Sequence, residues 1–546
     1  MALVTTSQKE EVSVASTSTS VEEAMETEEG SSQTGASAER QNPKHRLVHL
    51  DLKGAPPKLS YLAQVIPLFK KFGATGLLVE YEDMFPYNGE LRDLAAAHAY
   101  SQEEIQQLQE LAKEHDMLYV PLVQTFGHFE FVLKHDTFRH LREVDMYPMA
   151  LCPSNTESIV VVKKMIDQLM AAHPDVRYLH IGADEVFHLA LCKTCKLRLA
   201  EQTWTDRQLF LDHIMTVLSY IKVMYPNVKA IMWDDMLRET SMTHLQAYGI
   251  GEMVEPMVWC YLPRLSGTFL TVSFEDLWKK YAAVFKSAWI GTAFKGATGS
   301  SQYIVPINYH LQNHMAWLAQ LDNIPSSLTV QGWALTGWSR YDHYATHCEL
   351  LPAAIPCLAL CLQTVVHGGF TEDCDFHRKV SEELGFSQTL QVQLVPKSVC
   401  AVSSQHQCVS AVMMHNQIKT IAREGTFPGA KLFQGVHVLV NLDADYIEFL
   451  NGDSRYTGWM TDYHVRKNFT NPCHLEFIIH MASRLQEEFT KLHREMDRTL
   501  SEMYDPSTVE EWLVVHFKSP IDKLSEILGT AKTQIERYSS RTTCSS

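Results

Sequence analysis

The sequence predicts an α/β protein: a (β/α)8 TIM barrel with a helical C-terminal appendage. Three observations predict it. Eight short apolar, strand-like runs alternate with helical patterns over residues 46–333, the order that produces a parallel sheet covered by helices. The segment after the first run reads KGAPPK, where a doubly wound open sheet favours a glycine-rich phosphate loop. Acidic and aromatic residues collect at the C-terminal ends of the runs, where such a barrel keeps its chemistry.

The strand-like runs are RLVHLDL (46–52), ATGLLVE (74–80), MLYVPLV (117–123), RYLHIGA (177–183), VKAIMW (228–233), EPMVWC (255–260), FKSAWIG (285–291) and LTVQGW (328–333). Between them, SQEEIQQLQELAKEHD opens on Ser101 with Glu104 three residues on, a capping-box signature. The stretches SNTESIVVVKKMIDQLMAAHPD and TDRQLFLDHIMTVLSYIKVMYP carry apolar residues at helical spacing. The barrel is expected to span residues 45–370. Residues 1–44, rich in Ser, Thr, Glu and Ala, cannot bury enough surface to offset ordering entropy and are expected to form a disordered leader. Residues 371–546 read as mostly helical, with a long amphipathic helix over 474–503. They are expected to pack on the barrel or on a second subunit of a homodimer. Residues 388–417 fit no clear period.

The 546 residues are 45% hydrophobic and carry a net charge of −17, which argues against a nucleic-acid or anionic-membrane partner. No window approaches the 18 uncharged apolar residues of a transmembrane helix. The opening MALVTTSQKEEVSV lacks the basic and apolar regions of a secretory signal. With twelve cysteines in no framework spacing, the expectation is reduced thiols in the cytosol or nucleus. The sequon at Asn468 should then be idle.

The strand ends carry His49 and Asp51; Glu80, Glu82 and Asp83; Gln124 and His128; Asp184 and Glu185; Trp233, Asp234 and Asp235; Trp259 and Tyr261; and finally Trp289, Trp333 and Trp338. Carboxylates beside a wall of tryptophans suit a sugar: indole faces stack on a pyranose, and carboxylates bind hydroxyls and move protons. The most informative stretch is YLHIGADEVFHL (178–189), where a buried strand runs straight into two adjacent acids. Neighbours on an extended strand point to opposite faces, so both reach one substrate only if the chain turns there. Even then they meet neighbouring atoms of the sugar and do not flank one bond from two sides, as an acid and an enzymic nucleophile must. That suits a reaction in which Glu185 protonates the leaving oxygen while Asp184 holds a substrate group, such as a 2-acetamido group, that itself attacks the anomeric carbon.

LHIGADE resembles the strand-4 signature of glycoside hydrolase family 20, the β-N-acetylhexosaminidases. QTFGHFE (124–130), IMWDDM (231–236) and GWALTGW (332–338) are similar to that family's elements on strands 3, 5 and 8. Within the family the resemblance points to the nucleocytoplasmic branch without a secretory signal, and to GalNAc over GlcNAc. It implies an exo-acting hexosaminidase without cofactor or metal, acting on a small glycoside or glycoconjugate. Glu185 matches the general acid/base and Asp184 the acetamide-orienting carboxylate. Trp233, Trp259 and Trp338 match the pocket around the N-acetyl group and ring, and Tyr261 the donor to the acetamide oxygen. His128 matches a histidine that sets the acid's pKa, paired with an acid after strand 2 such as Asp83.

Two departures stand out. The family's arginine after strand 1, which grips the outer sugar hydroxyls, is absent; that loop offers Lys53. Strand 8 is followed by Trp338-Ser339-Arg340 instead of Trp-x-Glu, so Arg340 either supplies the missing donor or covers the rim. The Cys192–Cys195 pair reads as two ordinary thiols, since zinc would want further ligands at suitable spacing. His343 and His347, one helical turn apart, read as rim residues. Two rivals remain: a two-carboxylate glycosidase with Glu255 or Asp234 as nucleophile, and a catalytically dead barrel that binds glycans or proteins.

Overall fold

The computed structural model describes residues 43–265, 273–392 and 425–543. The expected leader, and residues 393–417 of the stretch without a period, lie outside them. Eight parallel strands close into a barrel in chain order: β1 His45–Asp51, β2 Gly76–Glu80, β3 Leu118–Leu122, β4 Tyr178–His180, β5 Lys229–Trp233, β6 Val254–Trp259, β7 Ser287–Lys295 and β8 Thr329–Gly337. Each expected run forms one strand. β4 is shorter than expected because the chain turns directly after it. β8 runs further, through Ala334–Gly337.

Asp51, Glu80, Leu122 and His180 pair in one row across β1 to β4 and mark the C-terminal rim. The interior is filled by Leu47, Leu78, Val120, Leu122, Ile231, Trp233, Met257, Trp289 and Ala334, so the barrel is a packed core with chemistry only at its end. Helices start where their sequence provides caps. Ser101 and Glu104 form the expected capping box, Asn155 caps Thr156–Ala172, and Thr205 caps Asp206–Met224. One feature escapes the strand–helix alternation. A hairpin, Arg142–Val144 with Tyr147–Leu151, is inserted after β3.

The C-terminal region is helical and packs on the barrel of its own chain. The helix Leu351–His367 is buried along nearly its whole length, with Ala430–Asn451 against it. The long helix Pro472–Met503 buries a stripe from Leu475 through Leu485 and Phe489 to Met503. It sits so close to Ala430–Asn451 that a Cβ at Gly435 would meet Met496 Sδ at 2.1 Å. Its end returns to the barrel rim. Lys58 N donates to Met503 O at 2.7 Å, and Tyr504 is buried and bridges to Pro57. Thr508 Oγ1 donates to Gly54 O at 2.9 Å.

Arg340 completes this junction. Its guanidinium lies over Gly54, donates to Glu511 Oε2 at 2.8 Å and contacts His347 Nε2. Gly54 has φ +69° and no room for a side chain, so glycine is required there. Of the two roles expected for Arg340, the structure shows the rim-covering one. His343 and His347 face different partners, His347 this junction and His343 the pair Glu82 and Asp83, so the two do not converge.

Arg340→Met keeps the aliphatic stem but removes the donor to Glu511 Oε2. It should lower stability by about 1–3 kcal/mol, as for a half-buried charge-assisted bond, measured as a shift in denaturant midpoint with an unchanged slope.

Candidate active site

The two adjacent acids share one pocket because the backbone after β4 turns left-handed. Gly182 has φ 61°, Ala183 66° and Glu185 46°, a region that costs a non-glycine residue energy and persists only where surroundings enforce it. The enforcement is visible. His180 Nδ1 accepts from Gly182 N at 3.0 Å. Gln124 Oε1 accepts from Ala183 N at 3.0 Å. Asp235 Oδ2 accepts from Glu185 N at 2.8 Å. Gly127 allows the β3 loop to press against the turn, since a Cβ there would lie 2.0 Å from Asp184 O. His128, also left-handed at φ 47°, then faces both acids: its Nε2 stands 3.4 Å from Asp184 Oδ2 and 3.2 Å from Glu185 Oε2.

Asp184 and Glu185 are not equivalent. The Asp184 side chain is 8% exposed and the Glu185 side chain 39%, so Glu185 is the acid that faces solvent. Burial, reinforced by the charges of Glu185 and Glu80 and opposed by His128, pushes Asp184 up to about 6. Burial also acts to raise Glu185, but the hydrogen bond and charge of His128 outweigh it and hold Glu185 below its ordinary value. His128 is raised well above its ordinary value: burial opposes its charge, but Asp184 and Glu185 more than compensate.

Behind the pair runs a buried polar chain. Gln124 Nε2 donates to Asp184 Oδ1 at 3.1 Å and to Glu80 Oε1 at 3.2 Å, and Glu80 Oε2 meets His49 Nε2 at 3.1 Å. Asp83, expected beside His128, is elsewhere, bonded to Lys134 Nζ at 2.8 Å and lying 3.4 Å from His343 Nδ1. That expectation is corrected: His128 touches the two acids directly, and Gln124 and Glu80 are the groups that continue the chain.

The aromatic wall sorts by strand register. Trp233 and Trp338 approach with centroids 5.8 Å apart, Trp259 stacks on Tyr261 at 5.1 Å, and Tyr261 leans on Trp338 at 6.4 Å. The four form one cluster. It is tied to the acids through Asp235, whose Oδ1 accepts from Trp259 Nε1 at 3.2 Å while its Oδ2 holds the Glu185 amide. Burial raises the Tyr261 hydroxyl well above its ordinary value, so it is a neutral donor. Lys295 Nζ donates to Trp338 O at 2.7 Å and fixes that side of the cluster. Trp289 and Trp333 do not belong to it. Trp289 stacks on His45 at the opposite end of the barrel, and Trp333 points outward, stacked on His314.

Neither expected nucleophile of the two-carboxylate rival faces Glu185. Glu255 lies near the start of β6 and accepts from Trp289 Nε1 at 2.8 Å. Asp234 is buried and bonded to Arg238, to the Trp259 amide at 3.2 Å and to the Tyr281 hydroxyl at 2.9 Å. Lys53 is buried between Glu82 at 3.0 Å and Asp51 at 3.8 Å, with its ammonium 5.7 Å from the Trp338 ring centre.

Cys192 and Cys195, read from the sequence as two ordinary thiols, do not stand alone. Cys152 and Glu143, from the inserted hairpin and its exit, complete a cluster with them. They lie 40 and 49 residues before Cys192, outside any short motif.

A model of glycosyl hydrolase family 20, catalytic domain, matches residues 64–259. The chain is 40% identical to Hexosaminidase D of Homo sapiens over 487 residues, covering 88% of this chain and 93% of that one. It is 46% identical to Hexosaminidase D of Bos taurus over 344 residues, 63% of this chain and 97% of that one. A solved β-N-acetylhexosaminidase from Bacteroides fragilis superposes with a TM-score of 0.46 at 18% identity, over 63% of this chain and 70% of that one.

Gly127→Ala should leave the barrel folded but displace the Asp184–Glu185 turn. Sub-ångström to ångström misplacement of a reacting group costs about 10²-fold in rate; the check is glycosidase turnover beside a circular-dichroism spectrum like that of the parent. The 40% identity across 93% of a hexosaminidase D, with the catalytic-domain match, shows that the chain belongs to glycosyl hydrolase family 20.

Proposed function

We propose that this chain is an exo-β-N-acetylhexosaminidase that removes a terminal non-reducing N-acetylhexosamine with retention, using the substrate's own acetamide as nucleophile. Family membership makes it a glycoside hydrolase of the β-hexosaminidase type; the finer reading rests on the site. The carrying observation is that Asp184 and Glu185 enter one pocket through the turn while Asp234 and Asp235 are both held by protein donors. Neither carboxylate that a two-carboxylate mechanism would use, Asp234 or Glu255, faces Glu185, which supports a nucleophile that comes with the substrate.

The proposed sequence of steps is as follows. The sugar seats against Trp233, Trp259 and Trp338, with the neutral Tyr261 hydroxyl donating to the acetamide oxygen. In the ligand-free site the proton resides on His128, 3.2 Å from Glu185. Covering the pair with the sugar's apolar face disfavours separated charge, and the proton passes to Glu185. Glu185 gives it to the glycosidic oxygen as the acetamide oxygen bonds to the anomeric carbon and the C–O bond breaks. Asp184 accepts the hydrogen bond of the acetamide N–H and stabilises the oxazolinium. Water then attacks the anomeric carbon, Glu185 takes its proton, and the acetamide re-forms. With Lys53 enclosed and Arg340 committed to the rim, no cation found among the described residues singles out one C4 configuration. Both GlcNAc and GalNAc glycosides should react, GalNAc preferred. A reducing cytosolic or nuclear compartment suits the unpaired described cysteines.

The test is turnover of nitrophenyl β-glycosides of GlcNAc, GalNAc, glucose and galactose. The two acetamido sugars should be cleaved and the plain hexosides should be inert; comparable cleavage of the glucoside would sink the proposal. Asp184→Asn should lower kcat by about 10²-fold or more with a smaller change in KM, because the charge it stabilises develops only on the way to the transition state.

The pH profile gives a second check. Asp184 acts as an anion, so kcat/KM should fall as pH drops through about 6. His128 opposes the burial that raises Asp184. His128→Gln removes that opposition, so the acid limb should move to higher pH by about one unit or more. A limb that stays in place, or moves down, contradicts the assigned coupling.

A further inference from the structure

We propose that Cys152, Cys192, Cys195 and Glu143 form a structural zinc site that pins the active-site loop to the inserted hairpin. The four donor atoms all lie within 4.8 Å of one another. Cys152 Sγ is 3.5 Å from both Cys192 Sγ and Cys195 Sγ. Glu143 Oε2 is 3.1 Å from Cys195 Sγ. Tetrahedral zinc with Zn–S bonds of about 2.3 Å separates its sulfurs by about 3.8 Å, so Cys152 need move only a few tenths of an ångström from each of the other two sulfurs to share an ion with them.

The surroundings have the features of a built site. Cys195 is fully buried, and Cys152 and Glu143 nearly so. Cys192 caps the helix Lys193–Gln202, its sulfur accepting from Cys195 N at 3.2 Å. Glu143 is oriented by its other oxygen, Oε1, which accepts from Leu191 N at 2.7 Å and Cys192 N at 2.9 Å. Outer hydrogen bonds of this kind fix a ligand's direction. Three thiolates and a carboxylate favour zinc over calcium or magnesium, which take oxygen ligands. Binding would release the thiol protons to solvent.

The placement explains what the ion would do. The loop from Asp184 to Cys192 carries three left-handed non-glycine residues, Glu185, His188 and Ala190, so it needs holding from outside. On the other side of the cluster, the hairpin supports the loop that bears His128: Phe129 N donates to Met149 O at 3.0 Å and Leu151 N to Phe126 O at 3.4 Å. One ion would therefore join the segment carrying Asp184 and Glu185 to the segment carrying His128. None of its ligands touches the reacting groups, so the site is structural and stands apart from the reaction proposed above.

The full chain, purified under reducing conditions, stripped with chelator and reloaded with zinc alone, should hold about one zinc per chain by elemental analysis. Cobalt in its place should give the intense thiolate-to-metal absorption of a tetrahedral site. Cys192→Ser and Cys152→Ser should each reduce stoichiometric zinc severalfold and weaken the cobalt band. Peptides covering residues 185–192 should exchange amide hydrogen more slowly with zinc than without. A folded parent that takes up no zinc, zinc uptake unchanged in both variants, or no thiolate band with cobalt would each overturn the assignment. If the serine variants do not fold, the cobalt spectrum and hydrogen exchange of the parent still decide it.

Discussion

Everything at this site depends on one backbone reversal, from Gly182 to Glu185. Two consecutive acids on a buried strand would face opposite ways. Here three positive φ angles in four residues turn both towards His128. Such a conformation costs about 1–3 kcal/mol per non-glycine residue, and the site is organised to meet that cost. Gln124 acts twice, its carbonyl holding the Ala183 amide and its amide nitrogen holding Asp184. Asp235 also acts twice, holding the Glu185 amide and the Trp259 indole. The geometry of the acid pair and that of the aromatic wall are thus set by the same hydrogen bonds and cannot drift independently.

The same bracing crowds buried acids. Burial is the main reason that Glu80, Asp184 and Asp235 are all raised from their ordinary values, and each feels the negative charge of another. Few cations are available to relieve this. His128 serves the pair, Arg238 serves Asp234, and Lys53 serves Glu82. In that setting the number of protons shared among the acids matters more than which atom carries one.

Much of this was legible in the sequence because its signals are local. Buried parallel strands read as apolar runs, and all eight formed where those runs lie. The Asp184–Glu185 pair stood out because buried strands seldom run straight into two adjacent acids. What was not legible depends on register or distance. Trp259 and Trp289 both sit on strands, but one lies at the catalytic rim and the other at the opposite end, and only the pairing of strands separates them. Asp234 and Asp235 are adjacent, and spacing does not say that one is locked by Arg238 while the other holds the Glu185 amide. The hairpin over residues 142–151 consists of strands of three and five residues, half-buried, too short for an alternation to show. Cys152 and Glu143 join Cys192 and Cys195 only through that hairpin.

The disposition of the carboxylates also bears on how selectivity arises. A glycosidase with its own nucleophile can process any sugar that fits, and must discriminate through polar groups placed against each hydroxyl. Here the two acids that follow β5 are both engaged by protein donors, and Asp184 is the immediate neighbour of Glu185. On the proposed reading, a sugar without the acetamide can occupy the aromatic pocket and still not react, because the bond-forming atom is missing. Selection for the 2-acetamido group is then a property of the reaction and not of binding. The site needs no arginine after β1 to secure it, and Lys53 and Arg340 are left free to serve the packing of the rim.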